Sequence, residues 1–341
     1  MSEPKPKKIN LNRRRVLQIF AIAGAVGAFR FLPKELHDSG FHVIRKSYPL
    51  MGTILNLVVY SHDREKGDAA ISETFSTMQK IESKLSRHAN NSEVAQLNQT
   101  GILHGASDDL LSVLELAQSV STMTSGSFDI TILPLLSLYQ SQPSEKLLHQ
   151  QSRINEAVKT VNHNDIITNE RMIKFTKQNM GITLDGIGKG YIVDQGMATL
   201  SRMGFNQVYV EAGGDLLVKG GKPKNEPWRI GLQNPRPSMP QELVVIETDS
   251  LAVATSGDYY QPFSPDFRFH HIINPRTGFS SPELASCTVT APNAALADAL
   301  ATGCMVLGAK DAIALLEEIP ECQGYMVSKD LTVHKTSGFN S

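Results

Sequence analysis

The segment QVYVEAGGDLLV, residues 207–218, contains two short strand-like runs with only a glycine turn between them. Further runs of β-branched and apolar residues lie around it, separated by Gly, Pro and Asn. They are RMIKFTK (171–177), GITL (181–184), WRIGL (228–232), LVVIET (243–248) and LAVAT (251–255). Because several of these strands follow one another without an intervening helix, we expect them to pair antiparallel. The sequence therefore predicts an α+β fold with a largely antiparallel sheet.

More strands and helices are predicted on both sides of this centre. FHVIRKSY (41–48) and TILNLVVY (53–60) have the alternating character of strands joined by PLMG. Apolar residues at three- and four-residue steps predict helices at 71–85, from Ser107 to about residue 125, from Tyr191 to Met203, from Ala294 to Leu307 and through Leu316. The polar stretch 140–163 is a predicted surface connection, and GYMVSKDLTVHK (324–335) is a predicted final hairpin.

Composition and charge narrow the class of protein. The chain has 341 residues, 41% hydrophobic and 20% charged, which is typical of a single globular body. The first thirty residues hold seven of the 33 basic side chains and one of the 34 acidic ones, so the remainder carries 26 basic and 33 acidic side chains. An acidic body argues against nucleic-acid binding. Cys287, Cys304 and Cys322 stand apart without CxxC spacing, so neither a zinc site nor a disulfide framework is indicated, although one pair could form.

Residues 1–30 have the features of an export signal, and residues 31–341 are expected to form the functional domain. A cationic stretch leads into NRRRVLQ (12–18) and the apolar run IFAIAGAVGAF (19–29), which is shorter than the ~20 residues that span a bilayer. Consecutive arginines before apolar residues resemble the bacterial twin-arginine signal. We therefore expect export to the periplasm, with a tether to the inner membrane if the signal is not cleaved. A basic amphipathic anchor helix is the alternative, but the run is apolar on all sides.

LDGIGKGY (184–191) follows a predicted strand and opens a predicted helix. Glycines at such a position let backbone amides approach an anion at a helix N-terminus, and Lys189 would add a positive charge. The segment matches neither a P-loop nor a GxGxxG fingerprint. It is therefore either a phosphate-binding loop or a tight strand-to-helix turn.

Asp298 and Thr302 lie four residues apart in a helix of Ala and Leu, so both oxygens project from the same face. Two interpretations are open. In the first, both residues are structural: the helix dipole favours Asp298, and Thr302 bonds a backbone carbonyl. In the second, they form part of a site for a hard cation such as Mg²⁺.

His270 and His271 precede the turn NPRTG. In an alternating strand they would face opposite sides, so one at most enters a given pocket. Each is either a structural residue or a base that takes a proton from a hydroxyl. The sequence contains no GxSxG motif and no Cys–His signature, which argues against a covalent-nucleophile hydrolase.

Six segments, in this order, closely resemble the ApbE family of FAD:protein FMN transferases. They are MGT (51–53), SGSFDITILPL (125–135), LDGIGKGY (184–191), TSGDYY (255–260), HHIINPRTG (270–278) and ADALATGCMVLG (297–308). The resemblance implies a T-fold-like single body that binds FAD, requires Mg²⁺ and attaches FMN through a phosphoester to a threonine or serine hydroxyl of another protein, releasing AMP. The implied acceptor is a flavoprotein subunit of a periplasmic or membrane redox complex.

The resemblance also implies roles for individual residues. Nucleotide contacts are implied for Met51, Ser127, Phe128, Asp129, Lys189, Asp258 and Ile272. The side chains of Asp298 and Thr302 and the backbone carbonyl of Gly188 match metal ligands, and His271 matches the histidine proposed as the base.

Some positions differ from the family's usual DLGGIAKGY pattern. Thr183 replaces the aspartate, Asp185 a glycine and Gly188 the alanine, while Glu211 stands where many members have Asn. These changes resemble the exported NosX-type branch associated with nitrous oxide reductase maturation. Two alternative functions are open at this point: an FAD pyrophosphatase that yields FMN and AMP, and a non-catalytic flavin-binding maturation factor.

Overall fold

The computed structural model describes residues 40–141, 150–236 and 244–340. The predicted export signal, residues 1–30, lies outside the described residues. Among the helices of the described ranges, none has the length and hydrophobicity needed to cross a membrane. Cys287, Cys304 and Cys322 are buried free thiols.

Strands and helices are labelled in chain order over the described residues. The strands are β1 (His42–Leu50), β2 (Thr53–Ser61), β3 (Ile102–Leu103), β4 (Ile166–Asn169), β5 (Met172–Phe175), β6 (Val208–Ala212), β7 (Asp215–Lys219), β8 (Trp228–Gly231), β9 (Val245–Thr248), β10 (Leu251–Gly257), β11 (Leu284–Ala291), β12 (Gln323–Ser328) and β13 (Val333–Lys335). The helices are α1 (Arg64–Leu85), α2 (Glu93–Thr100), α3 (Asp108–Met123), α4 (Leu133–Ser141), α5 (Gln151–Val158), α6 (Gly188–Arg202), α7 (Ala294–Leu307) and α8 (Ala309–Glu318).

An eight-stranded sheet forms the centre of the molecule, in the order β1-β2-β6-β7-β10-β11-β12-β13. Every neighbouring pair in it is antiparallel. The predicted α+β class with an antiparallel sheet is therefore confirmed. The β6–β7 hairpin, within QVYVEAGGDLLV, lies in the middle of the sheet, with β2 on one side and β10 on the other.

The sheet is covered on both faces, as its alternating side chains require. Leu55, Leu57 and Val59 of β2 belong to the main core, which is shared with α1, α6, α7 and α8. Val58 and Tyr60, at the intervening positions, belong to a smaller cluster that contains residues of the β8–β9 hairpin. β8 and β9 thus pair with each other and cover the sheet instead of extending it.

A third apolar cluster supports the segment that carries the two neighbouring histidines. Leu135 and Tyr139 of α4 pack with Ile154 of α5 and with Ile273. The Tyr139 hydroxyl also donates a hydrogen bond to the carbonyl of Gly278 at 2.9 Å. The loop 261–281 is therefore anchored to α4 and α5, although it contains no regular strand.

One predicted strand, GITL, is not a strand. The amide and carbonyl groups of Ile182 bond the side chain of Asn98, at 2.7 and 2.9 Å. The amide of Thr183 donates to the carbonyl of Ile130 at 2.8 Å. The backbone groups of GITL therefore make their hydrogen bonds with a side chain and a loop, and not with a neighbouring strand. The following helix α6 begins at Gly188, three residues before the predicted start.

Candidate active site

A cleft of about 500 Å³ receives residues from all six of the predicted segments. This volume is within the range of about 300–1,000 Å³ that is common for small-molecule sites. Nine of the eleven predicted site residues line it: Met51, Ser127, Phe128, Asp129, Lys189, His271, Ile272, Asp298 and Thr302. Positions from 51 to 302 of the chain therefore meet at one site.

Two predicted residues lie outside the cleft lining. Asp258 is fully buried behind it, and its carboxylate accepts two hydrogen bonds from Arg236 at 2.8 and 2.6 Å. Gly188 is the first residue of α6, and its amide donates to the carbonyl of Leu184 at 2.7 Å. Neighbouring Lys189 lines the cleft. Direct contact of Asp258 with a nucleotide stays a prediction, as does metal binding by the Gly188 carbonyl.

Met51 reaches the cleft from the β1–β2 hairpin turn. Met51 and Gly52 have φ of 52° and 69°, and two consecutive positive φ angles are typical of a type I′ turn. This region is unfavourable for a side-chain-bearing residue such as Met51. The amide of Met51 donates to the Glu82 carboxylate of α1 at 2.7 Å, which holds the turn in place.

Asp129 lines the cleft, but its carboxylate is occupied by bonds within the protein. Oδ1 accepts from the amide of Thr131 at 2.8 Å, and Oδ2 accepts from the amide of His163 at 2.9 Å. These bonds fix the loop that presents Ser127 and Phe128 to the cleft. The geometry thus gives Asp129 a role in shaping the wall.

Lys189 contacts two buried carboxylates. Its Nζ bonds Asp215 and lies 3.6 Å from Oδ1 of Asp298. Burial alone would lower the pKa of Lys189, but the two negative charges outweigh burial and raise it, so the ammonium group stays charged. The cleft therefore contains a permanent cation that a phosphate could contact.

Asp215 is a site residue that the sequence analysis missed. Gly213 and Gly214, with φ of 62° and 101°, make the tight turn between β6 and β7 that brings Asp215 beside Lys189. The one available signal was a carboxylate directly after a Gly-Gly turn. That signal alone does not distinguish a site residue from a surface turn residue.

Asp298 and Thr302 both project from α7 into the cleft. Oδ2 of Asp298 accepts from the amide of Gly190 at 3.2 Å, and the Thr302 hydroxyl is 3.0 Å from that of Ser256. Burial, and secondly the charge of Asp215, raise the pKa of Asp298 to about 7. A cation close to such a buried carboxylate would favour its ionised form.

The oxygen chemistry of this corner fits a hard cation. A carboxylate and a hydroxyl are ligands that Mg²⁺ accepts, and it usually keeps waters and substrate phosphate oxygens as further ligands. Within the ranges that the structure describes, no group of three or more His, Cys, Asp or Glu side chains is placed to hold a metal ion. Carboxylate, thiolate and imidazole groups alone therefore do not enclose an ion there, and its coordination would be completed by hydroxyl, backbone, water or substrate oxygens.

The two neighbouring histidines have different surroundings. His270 is fully buried: its Nε2 lies 2.9 Å from the carbonyl of Ser281, and its Nδ1 accepts from the amide of Ile272. His271 lines the cleft, and its buried Nδ1 has no hydrogen-bond partner among the described residues. Burial is the main cause, and the neighbouring His270 the second, of a His271 pKa lowered to about 4, so its imidazole is neutral at pH 7.

Burial of His270 predicts that acid destabilises the protein. Its pKa falls from 6.5 to about 4 on folding, mainly because of burial. Between pH 6.5 and pH 4 the unfolded chain binds a proton at His270 more readily than the folded protein does. The contribution of His270 to the free energy of unfolding is therefore present in full above pH 6.5 and is lost as the pH falls towards 4. From pH 7 to pH 5, the free energy of unfolding should fall by about 2 kcal/mol more in the parent protein than in His270→Gln. Urea denaturation at the two pH values measures this difference, and equal falls in both proteins would contradict it.

Comparison with known protein families identifies the chain. A sequence model of the ApbE family matches residues 51–326. The chain belongs to the ApbE family. The matched range includes all the residues from Met51 to Thr302 that meet at the cleft.

Curated ApbE relatives cover most of the chain. It is 29% identical over 287 residues to the FAD:protein FMN transferase of Vibrio cholerae, a match that covers 80% of this chain and 84% of that protein. It is also 29% identical over 250 residues to the FAD:protein FMN transferase of Haemophilus influenzae, which covers 70% and 72%.

Solved ApbE structures have the same fold. The ApbE protein of Thermotoga maritima superposes with a TM-score of 0.77 at 27% identity, over 87% of this chain and 97% of that one. The flavin transferase ApbE of Vibrio cholerae gives a TM-score of 0.74 at 25% identity, over 88% and 98%. The single mixed body with an antiparallel sheet is thus the ApbE architecture.

Two departures from the usual ApbE pattern are accommodated by local partners. Asp185 lines the cleft and pairs with Arg87, whose Nη2 lies 3.0 Å from Oδ2. Glu211 is buried and accepts from Asn56 Nδ2 at 2.5 Å and from the amide of Gly214 at 2.6 Å. Neither added carboxylate is therefore left without compensation.

Proposed function

We propose that this protein transfers FMN from FAD to a threonine or serine hydroxyl of another protein, releasing AMP. One observation carries the proposal: a cation (Lys189), a carboxylate–hydroxyl pair (Asp298 and Thr302) and a neutral imidazole (His271) meet in one cleft. The curated relatives are named for the transfer of FMN from FAD to a protein.

The reaction needs one bond to form and one to break. The hydroxyl oxygen of the acceptor attacks the phosphorus on the FMN side of FAD. The bond from this phosphorus to the bridging oxygen breaks, and AMP leaves with that oxygen and its electron pair. The hydroxyl proton goes to His271. A general base of this kind typically increases the rate by a factor of about 10²–10⁴.

Charge on the pyrophosphate must be neutralised during this step. Lys189, which remains protonated, is the candidate point charge. Mg²⁺ would be held by Asp298 and Thr302, with the Gly188 carbonyl as the further ligand that the family resemblance implies. When bound, the ion supplies Lewis-acid polarisation of the phosphoryl oxygens. The side chains contribute chiefly by orienting FAD and the acceptor.

An assay of covalent flavin tests the proposal. The protein is incubated with FAD, Mg²⁺ and a candidate acceptor encoded beside it, and the acceptor is examined by intact-mass analysis. We expect the mass of FMN less one water, and no increase when the modified residue is replaced by alanine. Release of free FMN and AMP with an unmodified acceptor would indicate a pyrophosphatase. FAD that stays bound and uncleaved would indicate a carrier.

The proposed acceptor is an exported redox protein, because the N-terminal segment resembles a twin-arginine signal. Replacing Arg13, Arg14 and Arg15 with lysine should keep the protein in the cytoplasm, as fractionation of the cells would detect. Unchanged periplasmic recovery would contradict this assignment. Membership of the NosX-type branch stays a prediction.

A further inference from the structure

Helices α6 and α7 touch backbone to backbone next to the proposed cation site. A Cβ atom at Gly190 of α6 would lie 2.2 Å from the carbonyl oxygen of Ala294 in α7, so only glycine fits there. The Gly190 amide also donates to Asp298. The N-terminal turns of both helices are therefore in direct contact.

Asp194 adds a second link, one turn further along α6. Its Oδ1 accepts from the amide of Ala294 at 2.7 Å and its Oδ2 from the amide of Ala295 at 2.9 Å. The first turn of α7 contains no acidic residue of its own. The carboxylate that pairs with free amides and with the positive dipole at the N-terminus of α7 thus comes from the neighbouring helix.

This link connects the parts of the proposed site that lie on different helices. Lys189 is on α6, whereas Asp298 and Thr302 are on α7. The 3.6 Å separation of the Lys189 ammonium from Asp298 depends on how the two helices are placed against each other. Asp194 is not among the residues that line the cleft.

We propose that Asp194 is a positioning residue: by binding the first turn of α7 to α6, it sets the place of Asp298 and Thr302 opposite Lys189. The inference rests on the proposed function, since it concerns the same cation site. Loss of the link should weaken cation binding although no ligand is altered.

The chain offers a matched control for a lost helix cap. Glu283 Oε1 accepts from the amide of Ala309, the first residue of α8, at 2.8 Å. It is likewise a carboxylate from another element at a helix N-terminus. Helix α8 contributes no residue to the lining of the cleft. Both substitutions therefore remove the charge of a helix cap, although Asp194 accepts from two amides and Glu283 from one, and only Asp194 joins α7 to α6.

The test compares Asp194→Asn with Glu283→Gln in the whole protein at pH 8. Burial raises the pKa of Asp194 to about 6, so it is ionised there. Mg²⁺ affinity is measured by calorimetry with FAD bound, and amide exchange of residues 184–191 by mass spectrometry. We expect Asp194→Asn to bind Mg²⁺ roughly fivefold more weakly and to exchange faster at 184–191, whereas Glu283→Gln stays within about twofold of the parent in both. Both variants should melt at a lower temperature.

Equal Mg²⁺ affinity in the two variants would overturn the proposal. If the parent protein binds no Mg²⁺, the cation assignment fails separately, and amide exchange then decides. Unchanged exchange at 184–191 in Asp194→Asn would show that the Asp194 link does not hold α6 and α7 together at the cleft. If Asp194→Asn does not fold, Asp194→Ser, which keeps one oxygen acceptor, replaces it in the same comparison with Glu283→Ser.

Discussion

Replacing Asp298 with alanine is expected to abolish Mg²⁺-dependent transfer, with a fall of at least about a hundredfold in kcat/KM. The substitution removes the carboxylate proposed to hold the cation and one of the two carboxylates at Lys189. The fold should persist, because Asp215 still pairs with Lys189 and because Asp298 is itself an unfavourable buried charge. Initial rates of covalent flavin formation, measured across a range of Mg²⁺ concentrations, give the result.

A suitable control for Asp298→Ala is Asp311→Asn. Asp311 lies in the first turn of α8, is exposed and does not line the cleft. Its loss should leave the rate within about twofold of the parent, since a surface charge at a helix end contributes little. Full activity in Asp298→Ala would remove the metal assignment and leave Lys189 as the neutralising charge.

Replacing His271 with alanine is expected to slow transfer by about 10²–10⁴ while leaving FAD affinity within a few-fold of the parent. The imidazole lines the cleft and is neutral at pH 7, and its buried Nδ1 has no hydrogen-bond partner in the described structure. Single-turnover rates report on the chemical step, and fluorescence titration of FAD reports on binding.

The neighbouring histidine provides the control for this second prediction. His270→Gln should lower stability, because a buried hydrogen-bonded ring is replaced, but transfer at 25 °C should stay within about threefold of the parent. Equal losses of transfer rate and FAD affinity in His271→Ala would make His271 a structural residue. In that case the proton must leave to solvent or to another group.

Local sequence patterns were sufficient for much of the fold. The alternation in β2 and the helical spacing of α7 each reflect contacts between near neighbours along the chain, and α7 spans the predicted Ala294–Leu307. GITL failed as a strand because its backbone groups bond Asn98, 84 residues away. A residue pattern cannot reveal a partner at that distance.

The candidate site could be predicted only in part. Motif resemblance identified the segments that line the cleft, since those residues remain close in sequence to their motif. It did not reveal Asp215, or that Asp258 is paired with Arg236 behind the wall. The resemblance did single out His271, which lines the cleft while His270 is buried, but their segment is a loop held by a distant apolar cluster and not the alternating strand that was expected.

By itself, the sequence determined the α+β class, the antiparallel hairpins and the order of the six motif segments, because periodicity and turn residues act over a few positions. The tertiary structure alone decided which side chains meet. Lys189 and Asp215 are separated by 26 residues, and Gly190 and Asp298 by 108. Their proximity results from packing of α6 and α7 on the sheet, where close helix contact and buried charge pairing are satisfied together.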